Sequence, residues 1–332
     1  MAGFDIVTGG AGFIGSHLVD ALVAEGRSVL VIDDLAVGRR SNLAQHAANP
    51  RFRFVEASVS DRAAMKELFA GADRVFHLAA LADIVPSVQN PERYFDANVN
   101  GSYAVVEAVR QHRVRKLLYA ASSSCYGVPE IYPTPETAAI DPRYPYALTK
   151  YLGEQILLHW GQVYDLPVTS LRLFNVYGPR ARTSGTYGAV FGVFLAQKLA
   201  GKPLTIVGDG SQTRDFTYVT DVVRAFLRAA EAGRNGAIYN VGSGATVSVN
   251  RLAELIGAEE LVHIPKRPGE PDCTFADTTR ITSELGWKAA VPIEDGVAAM
   301  MANLEYWRDA PVWTADRIAD ATQDWFKYIK DA

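Results

Sequence analysis

Phe4-Asp5-Ile6-Val7-Thr8-Gly9-Gly10-Ala11-Gly12-Phe13-Ile14-Gly15 is the stretch that decides how this chain folds. Phe4, Ile6 and Val7 are apolar and Ile6, Val7 and Thr8 β-branched, so residues 4–8 read as a short buried strand. Four glycines follow within seven residues, and His17, Leu18, Ala21, Leu22 and Val23 then read as a helix. Residues 28–32 read as a second strand that ends at Asp33. Strand, glycine loop, helix, strand and acid within roughly thirty residues is the pattern of a dinucleotide-binding βαβ unit. Gly9 permits the tight turn. Gly12 lets a pyrophosphate approach the positive helix N-terminus, beside Phe13 and Ile14. Gly15 lets the helix pack close to the sheet. Asp33 stands where a carboxylate accepts hydrogen bonds from the adenosine ribose, so it favours NAD over NADP, whose 2′-phosphate it would repel. Arg39 and Arg40 keep NADP as the alternative.

Outward from this unit the alternation continues. Residues 52–56 read as a third strand, 63–69 as a helix, and 74–80 as a fourth strand ending in Leu78-Ala79-Ala80. A long helix over 91–114 and a fifth strand over 116–121 follow. That strand runs into Ser122-Ser123-Ser124-Cys125-Tyr126-Gly127. A helix over 146–164 leads to a sixth strand over 168–174, ending at Asn175. Such repetition implies a Rossmann-type α/β fold, a doubly wound parallel sheet. Ligands bind such sheets beyond the carboxyl ends of the strands, so the glycine loop, Ala79, Ala80, Ser122 and Asn175 should share one crevice. His77 reads as a packed strand residue. Residues 1–175 are expected to form the NAD-binding domain. Residues 176–332 are expected to form mostly a smaller C-terminal α/β substrate domain, with about 215–245 packing back on the first sheet.

Tyr146-Ala147-Leu148-Thr149-Lys150 opens the helix at 146. A tyrosine four residues before a lysine puts both on one helical face, one turn apart. A phenol titrates near ~10 and a lysine near ~10.4. A nearby ammonium favours the phenolate, so the pair is expected to act as a general base near neutral pH.

Composition narrows the partners. Hydrophobic residues make up 48% and charged residues 21%, the profile of a globular protein with a full core. Lys plus Arg number 33 against 37 acids with no basic block, so nucleic acid is not an expected partner. Cys125 and Cys273 form neither a disulfide framework nor a metal cluster, so no metal is expected and a reducing compartment is. The start, Met-Ala-Gly-Phe-Asp, does not read as a signal peptide, and no apolar run approaches the ~18–20 residues of a membrane span. A cytoplasmic protein is expected.

Together these residues resemble the extended short-chain dehydrogenase/reductase family and, within it, the nucleotide-sugar 4-epimerases. The resemblance covers nearly the whole chain. It rests on the loop from Thr8 to Gly15, Asp33, Asn98, the serine run before Tyr126-Gly127, Tyr146-x-x-x-Lys150, Arg172-Leu173-Phe174-Asn175 and Arg214-Asp215-Phe216. It implies tightly bound NAD and a UDP-hexose that is oxidised transiently at C4, then re-reduced on the opposite face. By the same resemblance Ser122, with Ser123 as fallback, shares the sugar 4-hydroxyl with Tyr146. Lys150 binds the nicotinamide ribose as well as acidifying Tyr146, and Asn98 supports the lysine. Ser58, followed by Val59, stands where many relatives hold adenine with an aspartate. Family 4,6-dehydratases carry Asp-Glu where this chain has Ser123 and Ser124, and decarboxylases place a glutamate there. Removal of water therefore lacks its acid–base pair, although dehydratase, decarboxylase and reductase remain alternatives. A non-catalytic NAD sensor is the alternative from another class.

The resemblance also places a substrate site. Asn175 would contact the diphosphate, Arg214 and Arg267 would carry its charge, and Glu270 would accept from the nucleotide ribose. Thr205 and Val207 would flank the base, and Ala189 and Val190 would lie alongside. Thr274 occupies a gate position where a bulky residue excludes an N-acetyl group, so N-acetylhexosamines should be tolerated. Arg180 to Ser184 is arginine-rich, which keeps UDP-glucuronate as an alternative substrate. A homodimer through residues 92–113 and 146–164 is expected, with the aromatic tail at 311–326 packed on the body.

Overall fold

The computed structural model describes residues 3–181 and 190–330. Strands β1 (Phe4–Thr8), β2 (Val29–Asp33), β3 (Phe52–Glu56), β4 (Ala72–His77), β5 (Lys116–Ser122) and β6 (Val168–Leu173) join a seventh strand, Ala237–Val241, in one sheet. Its order is seventh-β6-β5-β4-β1-β2-β3, and every neighbouring pair is parallel. Both faces are covered, which is why β2 and β6 are buried along their whole length, and β6 carries Thr169, Ser170 and Arg172 inside with hydrogen-bond partners. Sheet growth reverses between β1 and β4, so a crevice opens beyond their carboxyl ends.

The two faces carry separate cores. On one, α1 (Phe13–Ala24) and the Val219–Ala232 helix pack Leu18, Leu22, Val222 and Phe226 against Val7 and Phe76. On the other, the Gly101–His112 and Pro145–Tyr164 helices pack Val105, Val109 and Leu157 against Ile6 and Val75. A third cluster, with Phe194, Leu195, Ile206, Leu252 and Trp307, belongs to residues 177–321.

Four boundaries differ from the sequence reading. Strand β4 stops at His77, because the chain then passes over the glycine turn: a Cβ on Gly9 would lie 2.6 Å from the Ala79 nitrogen. A separate helix, Ile84–Gln89, precedes the long one; Pro86 lies in its first turn, where a missing N–H removes no helical bond. The long helix itself comprises Pro91–Phe95, a π-turn at Asp96–Asn100, and Gly101–His112. Strand β6 ends at Leu173, and Asn175–Tyr177 leaves the sheet to pair with Phe216–Tyr218. Among the described residues no helix is long and apolar enough to cross a membrane.

Candidate active site

The glycine loop is shaped by its own backbone. Gly9 has φ +70°, and a Cβ on Gly15 would sit 2.2 Å from the Gly9 carbonyl oxygen. Gly15 is thus required by the loop it closes rather than by the sheet. Gly12 begins α1 without a side-chain cap, which leaves first-turn N–H groups for an anion. Asp33, 7% exposed, accepts from the Ala11 nitrogen at 2.9 Å and the Leu35 nitrogen at 2.8 Å. Burial raises its pKa while these two N–H groups pull it down. It therefore braces the loop while facing the crevice. Arg40 turns to Glu56 (2.9 Å) and stacks on Phe54, whereas Arg39 lines the crevice.

One cavity of about 840 Å³ runs the length of the crevice. Gly9, Gly12, Phe13, Ile14, Gly15, Asp33, Ser58, Val59, Leu78, Ala79 and Ala80 line one half. Ser122, Ser123, Tyr146 and Lys150 stand at the middle. Asn175, Val190, Thr205, Val207, Arg214, Arg267, Glu270 and Thr274 line the other half. A glycine cradle, an uncapped helix N-terminus and an acid at the far end suit a dinucleotide. Ala189, with Arg182 to Ser184, lies outside the described residues.

Asn98 lies beside the lysine's own stretch of helix. It is 1% exposed and sits behind the wall, where Nδ2 donates to the Leu81 carbonyl (3.0 Å) and to Thr149 Oγ1 (3.0 Å), and Oδ1 accepts from the Leu81 nitrogen (2.9 Å). It ties a crevice loop to the residue before Lys150 and does not face a cofactor. His77 is fully buried between Thr8 (2.8 Å) and Ser102 (3.1 Å). Because Ser102 Oγ donates to the Asn98 carbonyl (2.6 Å), it accepts from His77 Nε2–H, and Thr8 donates to Nδ1. Burial pushes this histidine down to about 3, so it is a neutral packing residue.

At the centre the Tyr146 hydroxyl donates to Ser122 Oγ at 3.1 Å. Ser122 Oγ also exchanges a 2.7 Å bond with Ser124 Oγ and accepts from the Ser124 nitrogen. Ser124 is thus a third hydroxyl of the cluster, and the serine run was its signal. Tyr144 stacks on Tyr146 with centroids 6.2 Å apart and planes 12° apart. Lys150 is 4% exposed, and its Nζ lies 4.3 Å from the centre of the Tyr119 ring.

The expected acidification of Tyr146 by Lys150 is corrected. Burial raises the tyrosine pKa, Ser122 and Ser124 offset this in part, and Asp83 raises it further. Burial also lowers Lys150 to about 7, with Glu154 acting against it. A low-dielectric wall disfavours charge on both groups, so burial rather than the lysine sets the direction of the tyrosine's shift.

The half of the cavity lined by Asn175, Arg214, Arg267 and Glu270 is more interlocked than its residue types suggest. Glu270 bridges Arg214 (2.9 Å) and Arg267 (3.3 Å), so it is engaged by the guanidinium groups rather than left open to a ribose. Thr274 Oγ1 donates to Asn175 Oδ1 at 2.7 Å. Thr205 Oγ1 accepts from Gln197. Arg172 is a framework residue: it is 2% exposed and bonds Glu154 and the Tyr126 hydroxyl. Tyr144, Pro311, Trp313 and Trp325 also line the cavity. The tail had been read as packing alone, since nothing local to its sequence marks a pocket.

The family model described as the NAD dependent epimerase/dehydratase family matches residues 6–242. A UDP-glucose 4-epimerase of Mycolicibacterium smegmatis is 41% identical over 303 residues, covering 88% of this chain and 96% of that protein. The structure of a Thermotoga maritima UDP-glucose 4-epimerase with UDP-glucose is 37% identical, covers 92% of this chain and 98% of its own, and superimposes with a TM-score of 0.84. A Bacillus cereus UDP-glucuronic acid 4-epimerase, solved with UDP-glucuronic acid and NAD, is 31% identical, covers 91% and 98%, and gives 0.84.

Proposed function

The chain belongs to the NAD-dependent epimerase/dehydratase family, and from that premise we propose that it interconverts the C4 epimers of a UDP-linked hexose. NAD is the cofactor, and when bound it supplies hydride acceptance and return. The observation that carries the reading is the Tyr146 hydroxyl 3.1 Å from Ser122 Oγ, beside Ser123 and Ser124 where elimination would need acids.

Tyr146 takes the proton of the sugar 4-hydroxyl, with Ser122 hydrogen-bonded to the same oxygen. The C4–H bond breaks with its electron pair leaving as hydride, and a 4-keto sugar results. The planar carbon turns about the diphosphate linkage and regains hydride on its other face, and Tyr146 returns the proton. Lys150, one turn along the helix, titrates near neutrality and so can carry the positive charge that balances a phenolate. Proton transfer of this kind contributes ~10²–10⁴-fold. Asn175, Arg214 and Arg267 hold the diphosphate side. Serine hydroxyls at 123 and 124 do not abstract a carbon-bound proton, which favours epimerisation over dehydration.

Thr274, which lines the cavity, is small where a bulky residue would exclude an N-acetyl group, so an N-acetylhexosamine fits the same reading. Arg180 is held by Asp20 at 2.7 Å rather than offered to a sugar carboxylate, which favours a neutral hexose over a uronic acid. A cytoplasmic homodimer is part of the proposal: Phe95, Leu148, Val163 and Tyr164 are each more than 40% exposed on the helices expected to pair. The test is a panel of UDP-glucose, UDP-galactose, UDP-N-acetylglucosamine and UDP-glucuronate, with epimers resolved by NMR. Conversion of a neutral hexose is expected. NAD binding without turnover of any of them would favour the sensor instead.

A further inference from the structure

The C-terminal helix Gln323–Tyr328 reaches the cavity from more than fifty residues beyond the last of the expected substrate residues along the chain, Thr274. Its Trp325 is 4% exposed and touches both functional halves of the sugar end. The Trp325 ring lies 5.2 Å from the Arg267 guanidinium carbon, and its Nε1–H donates to the Pro268 carbonyl at 2.8 Å. The ring centre is also 6.4 Å from that of Tyr144, which in turn stacks on Tyr146. The helix is fixed there by Val85 and Ile329, which pack with Trp325, and by the Gln89–Asp324 bond at 2.8 Å.

We propose that Trp325 is a positioning residue for the nucleotide sugar, its aromatic face holding the Arg267 guanidinium where it meets the diphosphate. This rests on the reading of the substrate given above. Glu270 holds Arg267 from one direction. The indole supplies a second, uncharged restraint that leaves the guanidinium cationic, as recognition of phosphate oxygens requires. Through Tyr144 the same ring supports the aromatic stack beside the proton-transfer centre. The tail is therefore part of the substrate site.

The test compares Trp325→Phe with Trp325→Leu in the full chain. Phenylalanine keeps a π face and leucine keeps only apolar bulk, so a purely structural role predicts similar behaviour for both. UDP alone is titrated by calorimetry, KM and kcat are measured with UDP-glucose, and NAD content serves as the check on folding. The expected result is UDP binding and KM weakened about tenfold in the leucine variant, the size of one partly desolvated cation–π contact. The phenylalanine variant stays within about threefold of the parent, kcat changes less than KM, and NAD content is unchanged. Parent-like UDP binding in the leucine variant overturns the proposal. So does equal weakening of both variants, which would move the role to the bond with Pro268. Either result leaves the epimerase reading standing, whereas absence of UDP binding to the parent protein overturns both.

Discussion

Replacing Tyr146 with phenylalanine separates chemistry from architecture. The ring keeps its stack on Tyr144, and only one hydrogen bond, 3.1 Å to Ser122, is removed. A neutral hydrogen bond of this kind contributes about 0.5–1.5 kcal/mol to folding, so the protein should fold and retain NAD. The lost proton transfer is worth ~10²–10⁴-fold, or roughly 3–5 kcal/mol of barrier at ~1.4 kcal/mol per tenfold. The rate should thus fall far more than stability does. Ser122→Ala should cost about 10–100-fold, since Ser122 acts on the same oxygen as Tyr146. Two groups that serve one proton are not additive, so the double variant should lie within about threefold of Tyr146→Phe alone. The assay is NMR detection of the UDP-glucose and UDP-galactose interconversion, with NAD measured in the supernatant of denatured protein. Full turnover by Tyr146→Phe refutes the assignment. A double variant whose loss equals the product of the single losses refutes the shared role.

Gly15→Ala places a Cβ 2.2 Å from a backbone carbonyl, which has no side chain to yield, so it should cost ~1–3 kcal/mol and release NAD on gel filtration. Glu154→Gln leaves Arg172 buried without its anion, a loss of about 3–5 kcal/mol that should lower the melting temperature by roughly 5–10 °C. Lys150 has a folded pKa of about 7 against ~10.4 unfolded. The unfolded chain therefore binds more protons between these values, and this group's contribution to stability rises as pH rises through that window. Cofactor-free protein should gain more stability than its Lys150→Met variant between pH 7 and 8.5 in denaturant titrations. Parallel curves for the two would show that the lysine is not held near neutrality.

The sequence exposed those features whose physics is local. Gly9, Gly12, Gly15 and Asp33 act within a single βαβ unit, and Tyr146 and Lys150 within one helical turn, so their spacing was enough. Asn98 was found, but its bonds to Leu81 and Thr149 join segments far apart in the chain and could not be read from spacing. The pKa of Tyr146 could not be read from its distance to Lys150, because burial depends on every element that encloses the crevice. Glu270 looked free until Arg214 and Arg267 closed on it from two parts of the chain. Trp325 left no local mark at all, since its neighbours Tyr144 and Arg267 lie far from it in the sequence.

The seventh strand, Ala237–Val241, is laid down only after the chain has already left the main sheet and built part of the third cluster. Until it arrives, β6 is the rim of the sheet, with a row of unpaired amide and carbonyl groups beside wholly buried side chains. Such a rim is a template for pairing with another molecule. A fragment cut after Asn175 would therefore be an aggregating piece rather than a free-standing dinucleotide binder. The chain visits its halves in alternation, and during synthesis the cofactor-binding sheet is sealed by residues made late. The chain between residues 176 and 236 can vary only within lengths that still return it to that rim.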